Sequence, residues 1–228
     1  PASRFKLCDS NADPLLFDDP GELAEVVAGL PPPPANRTLA MVQTAVYEAV
    51  NAITKRYPAD RVTPNAAPDA SVAAAVAAAN RAMLSRLVPS QQAAIDKSYG
   101  AAIAAIADGP AKSAGIAVGE QAATAVLAWR ADDNAGAPER YRPATTAGVY
   151  VPTPIPAVPQ WPQRKPWVMT SCDQFRPEPP PALASELWAR DYNEIKAIGA
   201  KNSTTKTPAQ TETARFWEAN GPVIYYPV

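Results

Sequence analysis

"NRTLAMVQTAVYEAVNAITKRYPA", from Asn36 to Ala59, carries apolar residues at Leu39, Val42, Val46, Val50, Ile53 and Tyr57, each three or four positions after the last. That spacing lines them along one side of a helix, so the segment is expected to be an amphipathic helix with this face in a core. Asn36 is a candidate N-cap, and Pro58 a terminator because its ring blocks the preceding turn. The opposite stripe holds Gln43, Tyr47, Glu48, Asn51 and Lys55. It is expected to face solvent or to satisfy neighbouring helix ends, the alternative being the wall of a substrate channel. Glu48 is the diagnostic residue of the stripe, since a mid-helix carboxylate beside Tyr47 and Asn51 is costly to bury without partners.

Working outward, helix starts recur with the same punctuation. "DDPGELAEVVAGL" offers Asp19 as cap, Pro20 in the first turn and Gly29 as stop. A further helix is expected from about Asp69 to Leu87, another after Pro89 with Ser90 as cap, and another opening at Pro110. In the last of these, Gly115 and Gly119, flanked by Ala111, Ala114 and Ala122, form a stripe of small residues that lets a second backbone approach closely. Lys112, Glu120, Gln121 and Arg130 keep that segment in water, so tight packing in a helical bundle is expected. Toward the C-terminus "PALASELWARDYNEIKAIGA" is helical up to Gly199, and "TPAQTETARFWEAN" begins with Thr207, Pro208 and Gln210 as cap, first-turn proline and capping-box partner.

Between Pro138 and Pro181 lie 12 of the 27 prolines, which excludes regular helix and would repeatedly break a strand ladder. The stretch also holds Tyr141, Tyr150, Trp161, Trp167 and Phe175, more aromatic side chains than a disordered linker carries, so an extended strap packed on a surface is expected. "PTPIPAVP" is alternatively a ligand for an SH3-like groove. Arg164 and Lys165, set between Trp161 and Trp167, are expected to make cation–π contacts that hold the strap. Asp132 and Asp133 form a carboxylate pair expected in a solvated turn, with a hard-cation site as the alternative. Arg215 and Trp217 are expected to pack on the bundle or to form a pocket wall.

Composition removes whole classes of chemistry. The 228 residues include no histidine, which eliminates Ser-His-Asp triads, Cys-His dyads, HExxH zinc sites and most transition-metal sites, each of which needs imidazole. With 21 Lys+Arg against 22 Asp+Glu and no block of either sign, nucleic acid is not an expected partner. No apolar run approaches the roughly 18 to 20 residues that cross a bilayer, so no membrane span is expected. Cys8 and Cys172 exclude a four-cysteine zinc site but permit one bridge in an oxidising compartment.

Five segments in order carry a resemblance: "RTLAMVQTAVYEAVNAI", "VPSQQAAIDKSYGAAIAAI", "GIAVGEQAATAVLAWRADD", "PQWPQRKPWVMTSCDQFRPEPPPAL" and "DYNEIKAIGAKNSTTKTPAQTETARFW". From about Arg37 to Trp217 the chain resembles the N-terminal half of bacterial proteins related to vanadium-dependent haloperoxidases, within the phosphatidic acid phosphatase type 2 superfamily. The resemblance implies an all-α fold of two bundles. Vanadate or phosphate would sit in the second bundle, held by Lys and Arg side chains, with a His as metal ligand or nucleophile. No position here matches those residues, so no catalytic, cofactor-binding or metal-binding residue is assigned to this chain. Tyr47, Glu48, Asn51, Arg215 and Trp217 remain as candidate channel or interface lining.

The expected organisation is an N-terminal arm with a short helix over 1–35, an Ala-rich bundle over 36–133, the Pro-rich strap over 134–182, and C-terminal helices with an apolar tail over 183–228. The expected function is the scaffold half of a haloperoxidase-like enzyme whose C-terminal half, the expected partner, is a covalent continuation or a cleaved second chain. The alternatives are half of an acid phosphatase of the same superfamily, or a non-enzymatic helical binding module. A homo-oligomer, a secreted or periplasmic location with any leader already removed or never there, at least one oxidised cysteine, and packing of "GPVIYYPV" against the other piece complete the expectations.

Overall fold

The computed structural model describes all residues except 1–29, 31, 60, 153–155, 157 and 219–228; the expected Asp19–Gly29 helix, Cys8 and the apolar tail lie outside the described residues. The described residues form six α-helices and no strand: α1 (Pro32–Thr54), α2 (Val72–Leu87), α3 (Gln92–Ala104), α4 (Pro110–Trp129), α5 (Glu186–Gly199) and α6 (Pro208–Trp217). The chain divides between Asp132 and Asp133 into two compact units. The fold is all-α, and no described helix is long and apolar enough to cross a membrane.

The first unit is built around α2. Ala74, Ala75, Val76, Ala77, Ala78 and Ala79 are consecutive and all buried, so this helix is enclosed on every side instead of presenting one stripe. Its neighbours are α1, α3 and α4, and α1 also packs on α4. Alanine makes this possible by letting the surrounding backbones come close at little cost in side-chain entropy. Ser71 caps α2 by accepting from the Ala74 N–H at 3.2 Å, and donates its own N–H to Ala111 O at 2.9 Å, which ties the start of α2 to the start of α4. The helix therefore begins later than the expected Asp69, at the residue whose hydroxyl satisfies a first-turn N–H.

The glycine stripe does what its spacing predicts. A Cβ on Gly115 would collide with Ser71 O, and one on Gly119 would collide with Ala75 O and lie 2.8 Å from Ala79 N and 2.9 Å from Ala78 Cβ. Only hydrogen fits between α2 and α4 at these two positions.

Other helix boundaries also differ from expectation, among them the end of α1, at Thr54 instead of next to Pro58. α1 starts at Pro32, ahead of Asn36, because prolines in a first turn lack an N–H that would be unpaired there anyway. Pro89–Gln91 forms a 3-10 turn that takes in Ser90, so α3 begins at Gln92 without a side-chain cap. The expected α4 start at Pro110 and the α5 end at Gly199 are found, and Thr207 and Gln210 make the full capping box of α6.

On α3 only Ile95 is buried, and the helix is further joined to α2 through Arg81, which pairs with Asp96 at 2.9 Å and lies 4.9 Å from the Tyr99 ring centroid. A hydrogen bond from Gln92, and after it the Arg81 guanidinium, hold the Asp96 carboxyl below the ordinary aspartate range. Because the folded-state value is the depressed one, the stabilisation exists above the unfolded-state value and is lost as pH falls through the folded one. Asp96→Asn is therefore expected to leave neutral-pH folding little changed and to make acid unfolding below about pH 4 less steep, as followed by circular dichroism.

The second unit contains the strap and the last two helices. Its organising centre is Asp133, whose Oδ2 accepts from Arg164 Nη2 at 2.6 Å and whose Oδ1 accepts from the Ala135 N–H at 3.0 Å. Lys165 N–H donates to Asp133 O at 3.3 Å, Asn134 Nδ2 to Gln163 O at 2.8 Å, and the Cys172 thiol to Arg164 O at 2.9 Å. The Arg164 guanidinium lies 4.5 Å from the Trp161 ring centroid, the cation–π contact expected of it. Asp133 thus clamps the start of the strap to residues about thirty positions on. This corrects the solvated turn expected for the Asp132–Asp133 pair, and the hard-cation alternative with it: Asp132 is exposed, but Asp133 is fully buried and its partner is a guanidinium.

Candidate functional site

The polar stripe of α1 does not behave as one surface. Gln43, Tyr47 and Lys55 are exposed, whereas Glu48 and Asn51 are buried. The buried face of α1 runs through Ala35, Thr38, Met41, Val42, Ala45, Val46, Ala49 and Ala52, so Val42 and Val46 of the expected line are in the core while its other members are not. Leu39, Val50 and Ile53 flank it, half-buried, and Tyr57 lies beyond the helix and is 53% exposed. The reason is again size: alanines let α2 and α4 approach this side most closely, and the larger side chains fill the margins.

Glu48 and Asn51 face the segment that follows the helix. The chain leaves α1 through Lys55 in the left-handed region, φ +52°, a conformation that costs a non-glycine residue about 1 kcal/mol and needs support from its surroundings. Asn51 supplies that support. Its Oδ1 accepts from the Tyr57 N–H at 2.9 Å and its Nδ2 donates to Tyr57 O at 3.1 Å, which closes the loop on the last turn of the helix. Glu48 Oε1 accepts from the Arg61 N–H at 3.4 Å. The Arg61 and Arg130 guanidiniums lie 4.8 and 4.9 Å from the Trp129 ring centroid at the end of α4, and Arg130 is buried. Asn65 N–H donates to Gln121 Oε1 at 3.2 Å, fixing the far end of the same loop to α4.

A cleft of about 50 Å³ remains between the end of α1 and this loop, lined by Glu48, Asn51, Lys55, Tyr57, Val62 and Thr63 among others. That is room for a few waters, not for an organic substrate. Asn51 serves the loop, and its truncation leaves two backbone groups of Tyr57 without their partner. Asn51→Ala is accordingly expected to destabilise the first unit by about 1–3 kcal/mol in urea denaturation, with the midpoint falling and the slope unchanged.

Arg215 and Trp217 sit on α6, in the second unit. Both are exposed, Trp217 at 75%, with its ring edge-on to Phe216 at 5.2 Å. Cys172 is a free, exposed thiol. Among the described residues no group of three or more His, Cys, Asp or Glu side chains could hold a metal ion. Asp133 and Arg130, expected in solvent, are buried charges, as is Arg164, which the sequence singled out for its cation–π contact.

No protein-family model matches the sequence, and no curated protein matches it. A solved structure does match: a bacterial vanadium-dependent iodoperoxidase, 22% identical, with a TM-score of 0.65, over 93% of this chain and 55% of that one. The chain spans about half the length of the protein it matches. Its helical fold is that of about half of a bacterial vanadium-dependent iodoperoxidase.

Proposed function

We propose that this chain is the scaffold portion of a vanadium-dependent haloperoxidase-like enzyme, and that the groups holding vanadate and carrying out the reaction belong to a further portion of the same fold. The observation that carries this is the pairing of extents: nearly all of this chain corresponds to only 55% of an iodoperoxidase, and the chain has no histidine. Vanadate is an oxyanion that calls for several cationic donors together with an imidazole on the metal. The residues present do not fit it. Imidazole is absent, and Arg164, Arg81 and Lys112 are engaged by Asp133, Asp96 and Asp108. No chemical step is therefore assigned to any residue here.

The part-buried Glu48–Arg61 and Asn51–Tyr57 contacts fit the same reading, since they join a helix end to a loop around a cleft too small for an organic substrate. Halide oxidation assays test it. The 228-residue chain, supplied with vanadate, peroxide and iodide, is expected to show no turnover, and the complete protein is expected to show turnover that depends on vanadate. Phosphomonoester hydrolysis by the complete protein in place of halide oxidation would transfer the scaffold role to a phosphatase. Turnover by the isolated chain would end the proposal.

A further inference from the structure

α5 and α6 are the least explained elements of the fold. α5 has 14 residues and α6 has 10, and neither contains a buried residue. Helices this short are marginal in water by themselves, and most helical stability in proteins comes from covering an apolar face. Each has such a face. On α5 Trp188 and Tyr192 stack at 5.0 Å, and Ile195, 70% exposed, lies on the same side at the next turn; on α6 Phe216 is 79% exposed beside Trp217. The caps are complete, with Ser185 accepting from the Trp188 N–H and Thr207 paired reciprocally with Gln210. Caps contribute about 1 kcal/mol each, which settles where the helices begin but does not replace a packed face. Exposed aromatic clusters of this kind mark an interaction surface.

Resting on the scaffold reading above, we infer that the apolar faces of α5 and α6 are the docking surface for the remaining portion of the fold, a helical polypeptide that lays its own apolar faces on Trp188, Tyr192, Ile195, Phe216 and Trp217. The occupant follows from extents: this chain corresponds to 55% of the matched iodoperoxidase, and the rest of that protein has no counterpart here. On the scaffold reading a further body remains to be accommodated, and α5 and α6 are the two described helices that bury none of their residues while carrying adjoining aromatic side chains, Trp188 half-buried and Tyr192, Phe216 and Trp217 exposed.

Hydroxyl-radical footprinting tests the surface, with the 228-residue chain compared against the complete protein purified as its cells make it. Ile195, Phe216 and Trp217 are expected to be oxidised about tenfold more slowly in the complete protein, the change between an open side chain and one sealed in an interface core. Tyr150, 72% exposed on the strap, is the internal reference and should react alike in both. Equal rates for all four residues in both samples would overturn the docking surface and leave the scaffold reading standing, because halide oxidation by the complete protein measures that reading separately. Protection that appears in the 228-residue chain as its concentration rises would overturn the inference in favour of a second copy as occupant.

Discussion

Gly119→Ala is expected to lower the stability of the first unit by about 3 kcal/mol, even though alanine is the better helix former by up to about 1 kcal/mol. The added methyl has nowhere to go. It would meet Ala75 O, Ala79 N and Ala78 Cβ, of which two are backbone atoms of a helix enclosed on all sides. α2 and α4 would have to separate, and the close packing forfeited along that seam outweighs the gain in propensity. For a chain of this size the expected fall in Tm is roughly 6–12 °C. Gly100→Ala on α3 is the matched control, since nothing lies within 4 Å of its Cβ position. It should raise stability by about 0.5–1 kcal/mol. Thermal unfolding of both variants decides the matter, and a neutral Gly119→Ala would mean that the two helices are not held this close.

Asp133→Ala is expected to be the most damaging single change in the second unit, at about 3–5 kcal/mol. The substitution takes the carboxylate away from the Arg164 guanidinium, which is buried beside Trp161, and removes the acceptor of the Ala135 N–H. A buried ion pair is weak evidence of net stability, because desolvating the two charges offsets most of their attraction. Removing one partner is a different operation. The double variant Asp133→Ala/Arg164→Met should recover much of the loss, since neither charge then needs compensation. Limited proteolysis provides the readout: the single variant should be cleaved faster within the strap, around Lys165 and Arg176, and the double variant at a rate nearer the parent.

Helix identity is legible in the sequence wherever it depends on local rules. The Thr207–Gln210 capping box, Pro110 at the start of α4 and the close approach at Gly115 and Gly119 follow from residue types at fixed spacing, and each is found. The buried face of α1 includes Val42 and Val46 but leaves Leu39, Val50 and Ile53 at its margins, because in an alanine-rich bundle the small residues mark the closest approach. Glu48 and Asp133 depart from expectation for a different reason. Whether a carboxylate is buried depends on its partner, and those partners, the Arg61 backbone and the Arg164 guanidinium, lie 13 and 31 residues away. No local pattern encodes that distance. The site itself is the least legible part, since the side chains present lead to loop support in Asn51 and to a strap clamp in Asp133, and to no reacting group in either.

Vanadate binding, measured by titration calorimetry on the 228-residue chain and on the complete protein under identical conditions, tests the scaffold assignment most directly. The assignment requires binding by the complete protein at one site per molecule and none by the chain with no histidine. Saturable, stoichiometric binding by the isolated chain would contradict it.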